Sequence, residues 1–406
     1  MKKVMIVLIL LSLIVSFVSA KTIKMVAPEF MQSNFDAYSY NYINAKTTGM
    51  GNTGVATFGG IQYSLKNPAS FKTENLSLYV EALFKVEADE LAEYEEFEQD
   101  YNSRDDEFEY IVERGNQNYV SKIPFGIIGF GKKMAKNLNV GLSFSQANSI
   151  TYDNFSRKTA GDNTQVIREP TYYNWQTALT TSYQIADFSL GLNIINNTYQ
   201  FNEYRLEGSY EVKNFTENLI RFKPGIIYGK NNWSVGFSYL LPAEKQIDCT
   251  SDTIMFSYDS TSVKEGLSFD TKLPSKLTTG FTYRYREYLF QTDLEYDFTS
   301  QQSSHFDDRI KYGIGLQKDM GAYRLRGGFL YSSGIFSGAF DNPYVYNSDA
   351  QQYYDKYIIE VDKEKDFWLT AGAGWKTKYV DIDVSLMKDV IGNLKGFQAT
   401  TGFTIK

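Results

Sequence analysis

Cysteine and histidine are almost absent from the sequence, with one of each among 406 residues. A single Cys249 excludes a disulfide framework within the monomer. With His305 as the only histidine, we expect neither a multi-ligand His/Cys metal centre nor a Cys–His or Ser–His catalytic pair. His305 itself falls in a polar stretch between two predicted strands. The sequence therefore predicts a protein that is not an enzyme and that needs no cofactor.

Long apolar runs are also missing once the first 20 residues are set aside. Residues 1–20 indicate a secretory signal peptide, with a basic start (Lys2 and Lys3), an apolar core from Val4 to Val18, and a small-residue cleavage site at Ser19-Ala20. Downstream, no uninterrupted apolar run approaches the ~20 residues of a transmembrane helix. An exported protein of this kind is either soluble or a membrane β-barrel, and the period of its hydrophobicity decides between them.

Basic residues are outnumbered by acidic ones. The chain carries 41 Lys and Arg against 48 Asp and Glu, a formal net charge of −7. This balance argues against a nucleic-acid-binding surface, so no nucleic-acid partner is expected. Aromatic residues, by contrast, are abundant, with 32 Tyr and 29 Phe. Those near predicted strand ends, such as Trp233 and Trp375, are typical of the interfacial girdles of membrane proteins.

Apolar and mostly polar residues alternate from Leu76 to Glu87. This run is long enough to cross a bilayer as a tilted strand of ~9–11 residues, whereas strands of soluble sandwiches are usually only about 5–6 residues long. The pattern returns until the end of the chain. The fourteen predicted strands are about 76–87, 119–133, 137–151, 171–185, 188–201, 217–229, 232–241, 275–286, 288–299, 308–318, 322–332, 366–376, 378–388 and 394–405.

The predicted connections alternate in length. Even-numbered strands are followed by tight turns, whereas most odd-numbered strands are followed by long loops, such as 202–216. Outer-membrane barrels show this arrangement, with the short turns facing the periplasm. An even strand count then places both termini on the periplasmic side. A soluble sandwich or propeller needs neither such long strands nor such regular loops. We therefore predict an all-β fold, a 14-stranded antiparallel transmembrane β-barrel over residues 73–406.

The lumen of such a barrel is too wide for its own side chains to fill. It must be an open channel or be occluded, and residues 21–72 are the only spare segment on the predicted periplasmic side. They hold a glycine-rich stretch, Gly49 to Phe71, in which glycines permit positive φ and a close approach to a wall. The Asn67-Pro68 pair favours a turn. We interpret residues 21–72 as an N-terminal hatch in the lumen; the alternative is a structural turn leading into the first strand.

Three stretches carry a family resemblance. One is Gly49–Ala56 (GMGNTGVA) followed by Asn67-Pro68-Ala69, and two lie in the barrel: Leu273–Ser275 leading into Gly280–Arg284, and Tyr312–Gly315 followed by Leu325–Tyr331. Together they resemble the FadL-type outer-membrane transporters of long-chain fatty acids and other hydrophobic compounds. The resemblance covers nearly the whole mature chain. The first stretch is similar to that family's hatch motif.

The resemblance implies passive, hatch-gated uptake of fatty acids or other hydrophobic small molecules. A ligand captured outside rearranges the hatch and leaves through a lateral gap near a kinked third strand, where Gln146 and Asn148 are the candidates for the opening. No ligand-binding residues are carried over, because the outer loops do not match closely enough. The residues that match the hatch motif and are expected to take part in gating are Gly49, Met50, Gly51, Asn67, Pro68 and Ala69.

The expected partners follow from this reading. They are a hydrophobic small-molecule ligand, outer-membrane lipid and lipopolysaccharide, and the barrel-assembly machinery, for a monomer in the outer membrane of a Gram-negative-type bacterium. Related FadL-like barrels also carry exported proteins, so a secretion or shuttle component at the cell surface is the alternative function. A structural barrel or an open polar porin is a third.

The first long loop, 88–118, is strongly acidic. Carboxylates are hard ligands that suit calcium or magnesium, which makes Asp105, Asp106 and Glu107 candidates for a divalent-cation site or a bridge to lipopolysaccharide. Their spacing matches no EF-hand loop. The alternative is a solvated, partly helical outer loop, because apolar residues recur at i, i+3 and i+6 from Leu91. We favour the solvated loop and predict no metal site.

Overall fold

A computed structural model of the protein describes residues 22–26, 41–87, 93–101, 108–113, 118–120, 125–153, 155–158, 165–168, 171–207, 209–255, 263–301, 307–334, 356–362, 366–390 and 396–405. The predicted signal peptide, residues 1–20, lies outside these ranges. So do the candidate cation ligands Asp105, Asp106 and Glu107. Among the described residues, no helix is both long enough and apolar enough to cross a bilayer.

Fourteen strands form the wall of a closed antiparallel barrel. In chain order they are β1 (Leu76–Glu87), β2 (Ile127–Ala135), β3 (Leu138–Asp153), β4 (Thr171–Ile185), β5 (Phe188–Glu207), β6 (Ser209–Lys230), β7 (Trp233–Leu240), β8 (Lys276–Tyr285), β9 (Tyr288–Asp297), β10 (Arg309–Met320), β11 (Tyr323–Ser332), β12 (Asp366–Lys376), β13 (Val380–Asp389) and β14 (Phe397–Ile405). Each pairs with the next along the chain. β14 returns to β1 through pairs from Leu78↔Ile405 to Val86↔Phe397. The predicted 14-stranded all-β barrel is confirmed.

Side chains alternate across the wall as the sequence predicts. Leu142, Leu179 and Ile194 pair in one row across β3, β4 and β5, and they are 52%, 42% and 39% exposed on the outer face. Their neighbours Ser143 and Thr180 point inward and are buried. The outer face is therefore an apolar surface suited to lipid, and the inner face is polar.

Aromatic rings stand at the strand ends of the outer face. Tyr323 and Trp375 stack with ring centroids 6.4 Å apart, and Tyr228 meets Trp233 edge-on at 5.5 Å. Both pairs lie beside short turns. This is the position of an interfacial girdle.

The two ends of the barrel differ in their connections. At one end, two-residue turns join the strands at Ala186-Asp187, Asn231-Asn232, Arg286-Glu287 and Gly321-Ala322. The first residue of each turn has a positive φ, between 48° and 68°. Such turns match the right-handed twist of the flanking strands. The tight turns predicted after these even-numbered strands are confirmed.

At the other end the strands run beyond the predicted loops. β5 and β6 continue as one hairpin to Glu207 and Ser209, so the predicted loop 202–216 is wrong: its backbone groups are paired across the hairpin. The further strands outside the fourteen are Thr22–Val26, Glu93–Tyr101, Phe108–Glu113, Asn118–Val120, Phe155–Lys158, Gln165–Arg168, Ala243–Met255, Val263–Leu273 and Lys356–Asp362.

The partly helical reading of the acidic loop is also wrong. Glu93–Tyr101 is a strand that pairs antiparallel with Phe108–Glu113 on one side and with Lys356–Asp362 on the other. A short isolated helix is marginal in water. The strand, by contrast, has a hydrogen-bonded partner along each edge.

Residues 41–75 precede β1 and lie inside the barrel; we call them the lumenal segment. Their hydrogen bonds reach inward-facing side chains on well-separated strands, among them Ser182 of β4 and Thr370 of β12. Most of the segment is irregular. Its short helical turns are α1 (Ala45–Thr48) and two 3₁₀ turns (Ile61–Tyr63 and Pro68–Ser70), and a further 3₁₀ turn, Thr299–Gln301, follows β9.

The outward apolar row predicts a depth-dependent cost for a charge. We expect Leu179→Arg, halfway along β4, to lower the free energy of unfolding in bilayers by ~2–4 kcal/mol, and Tyr183→Arg, on the same face nearer the short-turn end, to cost only about 0–1 kcal/mol. Denaturant unfolding in lipid vesicles measures both. Equal costs at the two positions would contradict a lipid-facing assignment of this row.

Candidate functional site: the lumenal segment and its cavity

The glycine-rich stretch turns sharply at two positions. Gly51 has φ 66° and Gly54 has φ 143°, values that other residues rarely adopt. Further along, the Asn67 side chain accepts a hydrogen bond from the Ala69 N–H at 3.0 Å, with Pro68 in the first position of the 3₁₀ turn. The predicted positive φ and the predicted Asn-Pro turn are both confirmed.

Two buried carboxylates of the wall bind the backbone of the segment. Glu81 of β1 accepts hydrogen bonds from the N–H groups of residues 44 and 45 at 2.8 and 2.6 Å. Asp293 of β9 accepts from the N–H groups of residues 54 and 55 at 2.7 and 3.0 Å. Hydrogen bonds to a charged group contribute about 1.5–3 kcal/mol each. The segment is thus anchored at two well-separated places on the ring of strands.

The backbone carbonyl groups of the segment accept hydrogen bonds from neutral side chains of the wall. An irregular backbone away from water must have its peptide groups paired, and small polar side chains on the inward face provide this. The donors are Ser182 to the Phe71 oxygen (2.5 Å), Ser189 to Ala69 (2.7 Å), Asn193 to Ser64 (2.8 Å), Ser234 to Ala56 (2.7 Å) and Ser238 to Lys66 (2.8 Å).

The contact with β11 and β13 is ionic. A guanidinium nitrogen of Arg326 lies 2.7 Å from Asp383 Oδ1, and Lys46 Nζ of the segment lies 3.4 Å from Asp383 Oδ2. Burial lowers the pKa of the Lys46 ammonium below its ordinary value of 10.5, while the Asp383 carboxylate opposes this shift. Loss of that carboxylate would remove the ion-pair partner of two buried cations, a change that typically costs about 3–5 kcal/mol.

Glycines of the wall make room for the segment. At nine strands, a Cβ added to an inward-facing glycine would overlap or crowd the lumenal segment. These glycines are Gly129, Gly131, Gly141, Gly191, Gly225, Gly229, Gly236, Gly280, Gly313, Gly315, Gly328 and Gly372. We call them the glycine belt. The segment therefore occupies positions in the lumen where side chains of the wall would otherwise stand.

The hatch-motif residues lie in this contact zone. Asn67 connects the two halves of the motif, because its amide donates to the Val55 oxygen at 2.9 Å and also to the Ile226 oxygen of β6 at 3.3 Å. The structure therefore brings together residues that the sequence separates. All six residues of the motif are buried: Gly49, Met50, Gly51, Asn67, Pro68 and Ala69.

The third strand is irregular at Ala147. Between β3 and β4 the register passes from Asn148↔Asn174 to Gln146↔Trp175, which leaves Ala147 without a partner residue on β4. An extra residue of this kind is a β-bulge, which bends a strand. The bulge therefore lies where the sequence suggested a kink.

The bulge contacts the start of the lumenal segment. The Asn41 N–H donates to the Ala147 oxygen at 2.9 Å, and the Asn41 side-chain amide donates to the Gln146 oxygen at 3.1 Å. Gln146 and Asn148, the two candidates for a lateral opening, are buried on either side of Ala147. A shift of the segment at Asn41 would therefore disturb its hydrogen bonds to the bulge.

A cavity of about 150 Å³ lies between the segment and the wall. Its β3–β5 side is neutral and includes Ala147, Gln176 and Ile195. The segment contributes Tyr42 and Leu65. The side formed by β6 to β10, with Lys66 of the segment, is charged: Lys66, Arg221, Lys223, Lys276, Glu295, Asp297, Arg309 and Lys311.

The two carboxylates of the cavity are paired with cations. Lys276 Nζ lies 3.1 Å from Glu295 and 3.2 Å from Asp297. Lys311 Nζ lies 3.3 Å from Glu295, and Arg309 binds Asp297 at 2.5 Å. In the part of the chain that the structure describes, no three His, Cys, Asp or Glu side chains are grouped to hold a metal ion.

Sequence reasoning named none of these cations. Arg221 and Lys223 are buried, whereas their neighbours Ile220 and Phe222 are 60% and 45% exposed. The period-2 alternation over these four residues was a usable signal, and it places both cations in the lumen.

Several solved structures match this fold over most of both chains. The P. putida toluene transporter TodX matches with a TM-score of 0.61 and 12% identity over 91% of this chain and 99% of that chain. A Pseudomonas aeruginosa FadL homologue matches with a TM-score of 0.64 and 9% identity over 89% and 97%. The Ralstonia pickettii toluene transporter TbuX gives 0.56 and 14% over 90% and 98%.

The chain has the FadL-type fold. The fold predicted from the hatch motif and the strand count is therefore confirmed. No protein-family model matches the chain, and no curated protein matches its sequence. At 9–14% identity, the FadL-type likeness concerns the backbone architecture, so the function must be argued from the lumenal segment and the cavity.

The glycine belt predicts that one added methyl group displaces the lumenal segment. A Cβ on Gly191 would overlap the backbone of Pro68 and Ala69, whereas a Cβ on Gly327 would meet only the Thr370 carbonyl oxygen, at an ordinary contact distance of 3.9 Å. Overpacking costs ~1–3 kcal/mol, so Gly191→Ala should raise the population with a displaced segment by about tenfold. Single-channel recording in planar bilayers should show more frequent openings than for Gly327→Ala. Identical traces for the two variants would argue against a sealing contact at Gly191.

Proposed function

We propose that this protein is an outer-membrane transporter for the passive uptake of fatty acids or other hydrophobic small molecules, with residues 21–72 as its hatch. The ligand enters the cavity from the end of the barrel with long connections, shifts the hatch, and leaves sideways at the β3 bulge. The short turns and the C-terminal end of β14 face the periplasm, whereas the strand Thr22–Val26 pairs with Lys356–Asp362, in the long connection between β11 and β12 at the opposite end. The transport needs no cofactor and no energy source.

One observation carries this proposal: a single cavity touches both the hatch and the bulge. Tyr42 and Leu65 of the hatch line one side, and Ala147 of the bulge lines another. A molecule in this cavity would contact both moving parts at once. The described toluene transporters and the FadL homologue of the same fold support the choice of an apolar ligand.

The anchors of the hatch fit a gate that opens reversibly. Its polar wall contacts include hydrogen bonds to Glu81 and Asp293 and an ion bridge to Asp383. Each can be exchanged for water as the hatch moves. A ligand shifts such an equilibrium only by its difference in affinity for the two hatch states. Contacts with Tyr42 and Leu65, which move with the hatch, would provide that difference.

Deletion of the hatch tests the gate. We expect the variant lacking residues 21–60, with its signal peptide intact, to assemble but to conduct ions continuously, because the lumen loses what fills it. Planar-bilayer conductance and uptake of the neutral probe 1-N-phenylnaphthylamine into proteoliposomes are the measurements. If uptake stays unchanged while the barrel assembles, the gating role is wrong.

A bulky residue at the bulge tests the lateral exit. Ala147 is 8% exposed and faces the cavity, so Ala147→Trp should fill the route and slow uptake of the probe by about tenfold, equivalent to ~1.4 kcal/mol of barrier. The matched control is Ala371→Trp on the outer face of β12, where Ala371 is exposed. Equal uptake by both variants would place the exit elsewhere.

A further inference from the structure

The cavity carries an excess of positive charge. Six cations and two carboxylates line it, in a chain whose net charge is −7. The cations are mostly buried: Arg221 is 5% exposed, Lys223 6%, Arg309 4% and Lys311 5%. Buried charge without compensation is costly. This cluster of buried positive charges would therefore be stabilised by a negatively charged partner.

Three of the cations have no carboxylate partner among the described residues. Lys66 Nζ donates to the Asn52 oxygen at 2.5 Å, and Lys223 Nζ donates to the Leu65 oxygen at 2.7 Å. Their hydrogen bonds thus go to neutral backbone carbonyls. Burial lowers the pKa of the Lys66 ammonium below its ordinary value of 10.5, although the carboxylates of Asp293 and Glu295 oppose the shift.

The third cation, Arg221, is held in the same way. Its guanidinium donates to the Leu241 oxygen at 3.0 and 3.1 Å and to the Pro274 oxygen at 2.5 Å. These backbone carbonyls fix the direction of the side chain without neutralising it. Arg221 and Lys223 stand two residues apart on the inward face of β6, and both line the cavity. Together with Lys66 they form what we call the cation triad.

The charges are confined to one half of the cavity. The cation triad and the paired cluster of Lys276, Arg309 and Lys311 occupy the half formed by β6, β8 and β10 with the hatch. The opposite half, on β3 to β5, presents Ala147 and Ile195 beside neutral amides. A molecule that fits both halves has a charged head and an apolar body, with the apolar end directed towards the bulge.

We infer that the cavity is a binding site for an amphiphile whose head group carries at least two negative charges, of the chemical class of alkyl phosphate monoesters. A single negative charge would balance only one member of the cation triad. A phosphate monoester carries up to two charges and three acceptor oxygens, which match three donors. This inference rests on the proposed function and names the ligand class of the same cavity.

Binding of chain-matched probes tests the inference. The purified full chain in a neutral detergent is titrated calorimetrically at pH 8 with dodecyl phosphate, dodecanoate and dodecanol. We expect the affinity to fall in that order, by about tenfold or more from dodecyl phosphate to dodecanol, because charge-assisted hydrogen bonds are lost. Equal affinities for dodecyl phosphate and dodecanol would overturn the inference.

Substitutions then locate the site. Arg221→Gln/Lys223→Gln should abolish the preference for dodecyl phosphate over dodecanol, and Lys66→Gln, which leaves the barrel wall untouched, should reduce it several-fold. The matched control is Lys230→Gln, because Lys230 is an exposed cation on the same strand. Heat-modifiable gel migration confirms that each variant is folded. A preference that survives both the double variant and Lys66→Gln would also overturn the assignment.

Uptake measurements separate this inference from the transport proposal. Uptake of the neutral probe 1-N-phenylnaphthylamine is compared between the unsubstituted chain and the variant lacking residues 21–60, because Lys66 and Lys223 also hydrogen-bond the hatch and their variants cannot isolate the gate. If probe uptake depends on the hatch but the chain shows no preference for dodecyl phosphate, only the inference of an anionic head group is overturned. If the preference for dodecyl phosphate requires Arg221 and Lys223 but probe uptake is the same with and without the hatch, the binding site is supported and only the gate is overturned.

Discussion

The structure depends on one constraint: the side chains of a fourteen-stranded wall cannot fill the lumen that they enclose. The lumenal segment occupies part of this space as irregular backbone, so its peptide groups need partners. The wall provides them through inward-facing serines and asparagines, and through two carboxylates, Glu81 and Asp293. The polar inner face of the barrel is thus explained by the segment it contains.

Close approach and reversible anchoring are combined in this contact. The glycine belt removes side chains where the segment lies, which lets backbone meet backbone. Yet the bonds that hold it are hydrogen bonds and the Lys46–Asp383 ion bridge, with only small clusters of apolar contact such as that around Ile61 and Phe71. In the proposed gate, a segment held in this way would lose little apolar burial when it moves.

The cavity joins three features that are far apart in sequence. Leu65 belongs to the segment, Ala147 to the bulge on β3, and Arg221 to the cation triad. In the proposed transport, their meeting in one space would link ligand recognition, hatch displacement and the bulge. Under the inference of an anionic head group, the asymmetric distribution of charge would give a bound amphiphile one orientation, with the head held by β6 and its neighbours and the body towards β3.

Much of this architecture could be predicted from the sequence. Period-2 alternation fixes which residues face lipid, because a one-residue slip would turn every side chain to the wrong face. The strand count, the short turns and the Asn67-Pro68 turn followed from local chemistry. The strands in the long connections could not be predicted in this way. The segment Glu93–Tyr101 has a spacing of apolar residues compatible with a helix, and only its two antiparallel partners make it a strand.

By itself, the sequence determined a barrel of fourteen strands and a glycine-rich segment whose expected place is the lumen of that barrel. Tertiary structure alone decided what that segment touches, since the Asn67–Val55 contact, the Ala147 bulge and the cation triad join residues with no periodic relation along the chain. Local patterns encode which face a side chain takes. Which side chains then share a cavity depends on how the strands close around the barrel and where the segment comes to rest.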